Sequence, residues 1–276
     1  MKVSFLQPLG TFSHEFATRE FGNNIDPIPK ANFREIVAAV ANKEADFGVI
    51  PFLNSSGVTV EKAHKALHQH LSQVTVTKCA PLQVNHHIVV GGGFTKLERL
   101  ISKEEVFPQI TNWLSTWADK PEEISATSTA TALKDLINSP EETRQNTAVV
   151  CNELAVDLYG GEIKYRGVQN SGNTTLFLVI SPFQLQGEAE RILVGLEPEN
   201  IPQHQFVIDQ FSEHGFPLMF SSIWGKPSSE CSLFLEFQGP ISPATLNELL
   251  STTSTKVIGC YSNDHSLATC VAEIFE

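Results

Sequence analysis

The sequence has few of the features that mark a membrane, secreted or nucleic-acid-binding protein. No stretch approaches the roughly 20 apolar residues that a transmembrane helix needs, and the apolar start at residues 3–6 is too short for a signal-peptide core. The 276 residues carry 19 Lys and Arg against 31 Asp and Glu, a net charge of −12. Since there is also no basic stripe to bind phosphates, we expect neither a membrane nor a nucleic-acid partner.

Cysteine and the common catalytic motifs are also scarce. The five cysteines form no Cys-x-x-Cys pair: Cys79, Cys151, Cys231, Cys260 and Cys270. An odd, scattered set favours free thiols in a reducing compartment, so we expect a cytoplasmic protein. Phosphate-binding Walker loops, HExxH zinc motifs and GxSxG elbows are missing from the sequence. We therefore expect no metal and no cofactor.

What the sequence does contain is an alternation of strand and helix signals. Phe47–Phe52 is a short apolar run typical of a buried strand. Asn32 is a helix cap, followed by apolar residues spaced at 0, 3, 4 and 7 from Phe33. Such βα units favour an α/β fold with parallel sheets. After a polar connector near Pro182–Glu190, the pattern becomes βαββαβ, a small ferredoxin-like unit.

Polar loops adjoin several of the predicted strands and helix starts. They are Gly10–His14, Asn54–Gly57 and Asn173–Thr175, with Ser128–Thr129 at a further helix start. Each alone is most simply an ordinary helix cap or turn. Together they offer hydroxyls, amides and helix N-termini with few charges, which suits a small carboxylate ligand.

These loops resemble the motifs of the prephenate dehydratase family, in the same order and at similar spacing. Gln7–His14 is similar to the opening Gly-Pro-x-Gly-Thr-Tyr/Phe-Ser-His, and Val49–Ser55 to Val-Pro-Ile-Glu-Asn-Ser. Asn173–Val179 resembles the Asn-x-Thr-Arg-Phe segment, while Thr127–Ala130 and Asn152–Ala155 also match. The resemblance covers essentially the whole chain.

The resemblance implies a two-lobed region like a type II periplasmic binding protein, followed by an ACT-like domain with βαββαβ order. We expect the dehydratase region at 1–183, with lobe one at about 1–76 and 168–183 and lobe two at about 77–167. The ACT-like domain is expected at 190–276. One of its effector motifs reads Trp224–Pro227 here, and only its last residue matches the family cleanly.

The resemblance also implies the reaction, in which prephenate loses its ring carboxylate and its hydroxyl to give phenylpyruvate. A hydroxyl held in a dry cleft can donate a hydrogen bond to the departing group, and Thr175 stands in the position of the family's essential threonine. The expected substrate-binding residues are Thr11, Ser13, His14, Asn54, Ser55, Ser128, Thr129, Thr174 and Phe177. The expected partners are prephenate, an amino-acid effector at the ACT-like domain, and further copies of the chain in a homodimer or homotetramer.

Two positions depart from the family pattern. Leu53 stands where the family has Glu, and Leu176 stands where it has Arg, next to Thr175. Two alternatives to the dehydratase therefore stay open. One is a prephenate decarboxylase, which releases carbon dioxide but keeps the hydroxyl. The other is a metabolite sensor without catalytic activity.

Histidines offer further candidate sites. His64 and His68 are spaced i, i+4 on a predicted helix, as zinc ligands can be, but without a third ligand surface positions are the simpler interpretation. His86 and His87 precede an apolar strand, and one of them is a candidate to reach the substrate. Trp113 and Trp117, also spaced i, i+4, are expected on the core face of one helix.

Overall fold

Two β-sheets form the framework of the chain in a computed structural model. The structure describes residues 1–55, 60–70, 73–182, 189–196, 198–224 and 232–275. Predictions that fall between these ranges, such as those for Ser56, Gly57, Cys231 and residues 225–227, lie outside the described residues. In the described residues no helix is both long and apolar enough to span a membrane.

The strands and helices alternate along most of the chain. The strands are β1 (Lys2–Leu6), β2 (Asp26–Lys30), β3 (Phe47–Asn54), β4 (Val74–Gln83), β5 (His87–Val90), β6 (Arg99–Ser102), β7 (Glu122–Ser125), β8 (Thr147–Cys151), β9 (Glu162–Tyr165), β10 (Thr174–Pro182), β11 (Ala189–Leu196), β12 (Leu218–Trp224), β13 (Ser232–Ile241) and β14 (Lys256–Tyr261). The helices are α1 (Phe12–Phe21), α2 (Phe33–Ala41), α3 (Glu61–His68), α4 (Thr111–Leu114), α5 (Thr129–Ile137), α6 (Glu141–Arg144), α7 (Glu153–Tyr159), α8 (His204–Glu213), α9 (Pro243–Thr253) and α10 (Leu267–Phe275).

The chain divides into two compact units. The first consists of residues 1–5, 24–82 and 175–276, and the second of residues 6–23 and 83–174. These bounds differ from the expected lobes, because α1 belongs to the second unit. There Tyr159 donates a hydrogen bond to the Leu9 carbonyl at 2.9 Å, which attaches the chain before α1 to α7.

The first unit is built on a nine-stranded sheet with the order β12-β13-β11-β14-β4-β10-β3-β1-β2. β1 and β3 are parallel, whereas β10 runs antiparallel to β3. The second unit contains a five-stranded sheet with the order β7-β6-β8-β5-β9, in which β5 is antiparallel to both neighbours. The α/β class is confirmed, but both sheets are mixed: β6 is parallel to β7 and β8, as predicted for βα units, whereas β5 and β10 add antiparallel pairs that were not predicted. The apolar runs that predicted buried strands carry no information on strand direction.

The C-terminal segment has the predicted βαββαβ order in β11, α8, β12, β13, α9 and β14. Its core consists of the inward faces of these elements: Ile192, Val194, Leu196, Val207, Phe211, Leu233, Leu235, Phe237, Ile241, Leu246, Leu249 and Val257. β14 pairs in parallel with β4 at Gly259 and Val76. Strands from both ends of the sequence therefore share one sheet.

Candidate functional site

In the first unit, the end of β3 meets the beginning of β10 at two of the predicted site residues. Asn54 and Thr175 are direct partners in the antiparallel pair, and the Asn54 Nδ2 donates to the Thr175 Oγ1 at 3.1 Å. Both side chains are half-buried. A hydroxyl has one proton and two acceptor sites. Since Thr175 accepts from Asn54, its own proton remains available for another acceptor.

The two leucines that depart from the family pattern are also direct partners. Leu53 pairs with Leu176 one step along the same ladder, and the register shifts between Leu176 and Phe177. Leu176 is fully buried. Side chains of facing residues in an antiparallel pair lie about 5 Å apart. The two substitutions therefore replace a pair of adjacent polar positions by a pair of adjacent apolar ones.

Two further predicted residues of the first unit are placed beside this pair. Ser55 follows Asn54 in a half-buried turn. Phe177 pairs with Pro51 and is only 2% exposed. Its burial is that of a core residue, so contact with a substrate stays a prediction for this side chain.

In the second unit, the N-terminus of α1 is closed by three of the predicted residues and Gly10. The Thr11 Oγ1 accepts from the His14 N–H and donates to the Leu6 carbonyl. The Gly10 N–H donates to the His14 Nδ1 at 3.0 Å, so a neutral ring carries its proton on Nε2. Burial lowers the pKa of His14, which favours that neutral form. Ser13, in the first turn, is buried.

Two other helices of the second unit begin with capping side chains. The Ser128 Oγ accepts from the Thr131 N–H at 3.0 Å at the start of α5, and the following Thr129 is 7% exposed. The Asn152 Oδ1 accepts from the Ala155 N–H at 3.2 Å at the start of α7. Each cap satisfies one N–H of the helix and leaves others of the first turn unbonded within the helix.

These three helix N-termini meet around Gly10. A Cβ on Gly10 would lie 3.2 Å from the Ala155 Cα and 3.4 Å from the Ala130 Cβ, and Gly10 has a φ of +85°. Ala130 and Ala155 belong to the first turns of α5 and α7. The N-terminal ends of helices carry partial positive charge and unpaired N–H groups, which favour an anion. Glycine is needed at position 10 for both the close approach and the backbone angle.

A carboxylate already takes part in this cluster. The Asn152 Nδ2 donates to the Glu15 Oε2 at 2.7 Å, which connects the first turn of α1 to the cap of α7. Burial raises the pKa of Glu15, although the Asn152 hydrogen bond acts in the opposite direction. The sequence analysis missed this bond, because a first-turn Glu followed much later by a capping Asn is an ordinary pattern.

His86 and His87 have structural partners in the second unit. The His86 Nε2 donates to the Gln109 Oε1 at 3.0 Å, and burial lowers the pKa of His86 to about 4. The His87 Nδ1 accepts from the Gly167 N–H. Gln109 also accepts from the Asn173 Nδ2 at 2.7 Å. No sequence signal pointed to Gln109, which lies in a 3-10 turn and connects the predicted Asn173 loop to His86.

Trp113 and Trp117 pack against a buried core cluster as predicted, but the prediction that they share one helix is wrong, and so is the surface position predicted for His64. Trp113 lies on α4, but that helix ends at Leu114, so Trp117 lies beyond it. The rings still pack together, with centroids 5.5 Å apart. His64 is fully buried rather than on the surface. In the part of the chain that the structure describes, no group of three or more metal-binding side chains occurs.

A separate depression of about 360 Å³ in the second unit is lined by Gly91, Gly92, Gly93, Phe94, Ile137 and Lys164, among others. Ile137 is the last residue of α5, whereas Ser128 caps its first turn. The depression therefore lies at the opposite end of this helix from the cluster around Gly10, and it is not part of the candidate site.

Comparison with known proteins identifies the family. The sequence pattern of the prephenate dehydratase family matches residues 3–184. The chain belongs to the prephenate dehydratase family. A bifunctional chorismate mutase/prephenate dehydratase of Pseudomonas aeruginosa is 24% identical over 277 residues, covering 95% of this chain and 73% of that protein.

Solved structures share the fold. A prephenate dehydratase from Arthrobacter aurescens, solved in complex with L-Phe, aligns with a TM-score of 0.78 and 17% identity, covering 99% of this chain and 96% of that one. GqqA, described as a novel type of quorum quenching acylase, aligns with a TM-score of 0.74 and 18% identity, covering 95% and 98%. Since one fold carries both descriptions, the fold alone does not decide the reaction.

Proposed function

We propose that this chain is a prephenate dehydratase, which converts prephenate to phenylpyruvate, carbon dioxide and water in phenylalanine biosynthesis. The observation that carries the proposal is the hydrogen bond from Asn54 to Thr175. It orients a hydroxyl at the paired ends of two strands in a chain of this family, at the position where the family resemblance expects the donor.

The reaction requires little more than orientation and one proton donor. The bond from the ring to its carboxylate breaks, carbon dioxide leaves, and the bonding electrons enter the ring. The ring C–O bond breaks at the same time, and the departing hydroxyl takes up a proton from the Thr175 hydroxyl, which regains one from solvent, and leaves as water. The gain of an aromatic ring drives the step. A Thr175 hydroxyl that already accepts from Asn54 is oriented to donate toward the leaving oxygen.

The second unit supplies groups for a carboxylate. We propose that Thr11, Ser13, Ser128, Thr129 and Thr174 bind the substrate, supported by the three helix N-termini that meet around Gly10. The partial positive charge of helix ends stabilises anions without a charged side chain. In this proposal His14 and Ser55 have supporting roles, because His14 accepts the Gly10 N–H and Ser55 extends the Asn54 turn.

Product analysis tests the proposal. Purified protein is incubated with prephenate, and the products are separated and weighed by mass spectrometry. Formation of phenylpyruvate with one equivalent of carbon dioxide supports the dehydratase. A boiled sample and a sample at the same pH without protein control for the acid-promoted reaction of prephenate itself.

A decarboxylase is the second candidate, because Leu53 and Leu176 face each other beside the donor. An apolar pair there cannot offer the charged hydrogen bonds of the family residues, each worth about 1.5 to 3 kcal/mol. If the hydroxyl is retained, the product is heavier than phenylpyruvate by one water. Absence of any turnover would instead favour a sensor, which a ligand-dependent rise in melting temperature would detect.

We further propose that the C-terminal segment is an ACT-like domain that binds an amino-acid effector. The support is its βαββαβ order and the likeness to a structure solved in complex with L-Phe. Titration with L-phenylalanine tests this proposal, with D-phenylalanine as the control. We expect turnover to change only with the L-enantiomer.

A second copy of the chain is the partner we propose for β12. This strand forms the edge of the nine-stranded sheet, and Met219 and Ile223 are 40% and 61% exposed. An apolar edge strand with unpaired backbone groups is a template for another strand. Sedimentation should show a dimer or tetramer that Ile223→Lys dissociates, while Lys134→Glu at an exposed position of α5 leaves it intact. We also propose a cytoplasmic location, supported by cysteines of the described residues that remain thiols: Cys79, Cys151 and Cys260.

A further inference from the structure

His64 on α3 occupies an unusual position for a histidine. Among the described residues it is fully buried, and neither ring nitrogen has a hydrogen-bond partner. Burial lowers its pKa to about 3, so the ring is neutral at ordinary pH. Two buried nitrogens without partners destabilise a fold, which suggests that the ring does something other than increase stability.

The ring of His64 packs against two phenylalanine rings, which also pack against each other with centroids 6.3 Å apart and 19° between their planes. Its centroid is 4.1 Å from that of Phe52, with an angle of 16° between the planes. The centroid of Phe234 is 5.1 Å from that of His64, with 14° between the planes. All three rings belong to the first unit, with Phe52 on β3 and Phe234 on β13 of the C-terminal segment. The stack therefore joins the strand that carries Asn54 to the C-terminal segment.

Phe52 lies on β3 two residues before Asn54, the last residue of the strand. Its carbonyl accepts from the Val60 N–H at 2.9 Å, and the Val60 carbonyl accepts from the His64 N–H at 3.2 Å. Asn54 follows Phe52 by two residues and donates to Thr175. A change in the position of the Phe52 ring is thus transmitted through only two backbone steps to the Asn54 side chain.

His68 provides a second connection from α3 to the C-terminal segment. Its Nε2 donates to the Leu196 carbonyl at the end of β11 at 3.0 Å. The two histidines spaced i, i+4 therefore both attach α3 to the C-terminal segment. The His64 ring contacts Phe234 on β13, and the His68 ring bonds to the end of β11. Through these contacts, helix α3 connects the end of β3, which carries Asn54, to β11 and β13.

We propose that His64 is a positioning residue, whose ring, packed against both Phe52 and Phe234, keeps the end of β3 in the place where Asn54 bonds Thr175. The inference rests on the proposed function, which gives the Asn54 and Thr175 pair its role in turnover. It makes the C-terminal segment part of the catalytic arrangement, although the family pattern ends at residue 184.

Two variants of His64 test the role of the ring. His64→Ala removes the ring that packs against both phenylalanines, and we expect kcat to fall tenfold or more with KM within twofold of the wild type, because the hydrogen bond from Asn54 to Thr175 acts on the reacting step. His64→Phe keeps a flat ring, and we expect kcat within threefold of the wild type. Unchanged kcat in His64→Ala, measured well below its melting temperature, would overturn the proposal.

The partner ring and a matched control separate positioning from general destabilisation. Phe234→Ala should lower kcat as His64→Ala does, and in the double variant the two losses should be less than additive, because both variants remove the contact between His64 and Phe234. Leu249→Ala opens the core of the C-terminal segment without touching the stack. It should lower the melting temperature and leave kcat unchanged. Equal loss of kcat in Leu249→Ala would contradict the inference.

Hydrogen exchange gives a readout that does not depend on activity. In His64→Ala the Val60 amide, which donates to Phe52, should exchange at least tenfold faster than in the wild type, with the β8 amides unchanged. If the wild type does not turn over prephenate, the proposed function fails, while faster exchange still supports positioning of the loop. Unchanged exchange refutes the positioning itself. Should His64→Ala not fold, Phe234→Leu gives the same comparison.

Discussion

The replacement of Asn54 by Asp reverses the hydrogen bond on which the proposed function depends. The Asn54 amide donates to the Thr175 Oγ1 across 3.1 Å. An ionised carboxylate of nearly the same shape only accepts. In Asn54→Asp the Thr175 hydroxyl must therefore donate to position 54, and its proton is no longer directed to the leaving group.

The expected size of the effect follows from the bond that has to be broken. A hydrogen bond to a charged group is worth about 1.5 to 3 kcal/mol, and about 1.4 kcal/mol corresponds to a tenfold change in rate. We therefore expect kcat of Asn54→Asp to fall by roughly 10-fold to 150-fold. Asn54→Ala only loses a neutral bond of about 0.5 to 1.5 kcal/mol, so its kcat should fall by roughly 2-fold to 13-fold.

Steady-state kinetics with prephenate, following phenylpyruvate, measures both variants. The added negative charge also repels an anionic substrate, so KM is expected to rise and kcat is the diagnostic quantity. Asn138→Asp, on an exposed residue, controls for net charge. As the pH falls toward the ordinary pKa of an aspartic acid side chain, about 4, the protonated carboxyl group at position 54 can donate again, and the deficit in kcat should shrink. If Asn54→Asp is no slower than Asn54→Ala, the reasoning is refuted.

Three further predictions concern stability. Glu236→Gln should lower the melting temperature by roughly 10 °C, with Glu248→Gln at an exposed position as the control. The buried Glu236 side chain accepts hydrogen bonds from the Tyr261 hydroxyl and from two N–H groups at the start of α10. Loss of one such bond costs about 3 kcal/mol. Leu176→Arg should lower the free energy of unfolding, measured in urea, by about 3 kcal/mol or more, because it buries an unpaired charge. Adding Leu53→Glu should restore part of that free energy. If it restores none, the two side chains do not contact each other. Below pH 6.5 the unfolded chain protonates His64 while the folded ring, with its pKa of about 3, does not, so stability falls with falling pH, and His64→Phe should flatten that fall.

Local sequence signals were sufficient for many elements. The capping role of Asn32 was predicted and is observed, and of the two predicted candidates Thr127 and Ser128 the cap is Ser128, because a cap depends on residues within one turn of each other. The strand predicted at Phe47–Phe52 and the apolar strand predicted beside His86 and His87 are observed as β3 and β5, because each is a continuous apolar run. β7 was missed because its sequence, Glu-Glu-Ile-Ser, contains only one apolar residue and so has no strand pattern. It is a strand because it pairs with β6.

The candidate site could be predicted as a set of residues but not as an arrangement. Asn54 and Thr175 are 121 positions apart, and their register depends on the bulge after Leu176, which no local pattern announces. The facing of Leu53 and Leu176 was open for the same reason. His64 appeared to be a surface residue because the ring that covers it, Phe234, comes from the last third of the chain.

The comparison of wild type with Thr175→Val tests the central claim most directly. Valine keeps the shape of the side chain and removes only the hydroxyl, so binding should persist. We expect kcat for phenylpyruvate formation to fall at least 100-fold, with the dissociation constant for prephenate within threefold of the wild type. A variant that forms phenylpyruvate at the wild-type rate would show that the leaving hydroxyl receives its proton from another group.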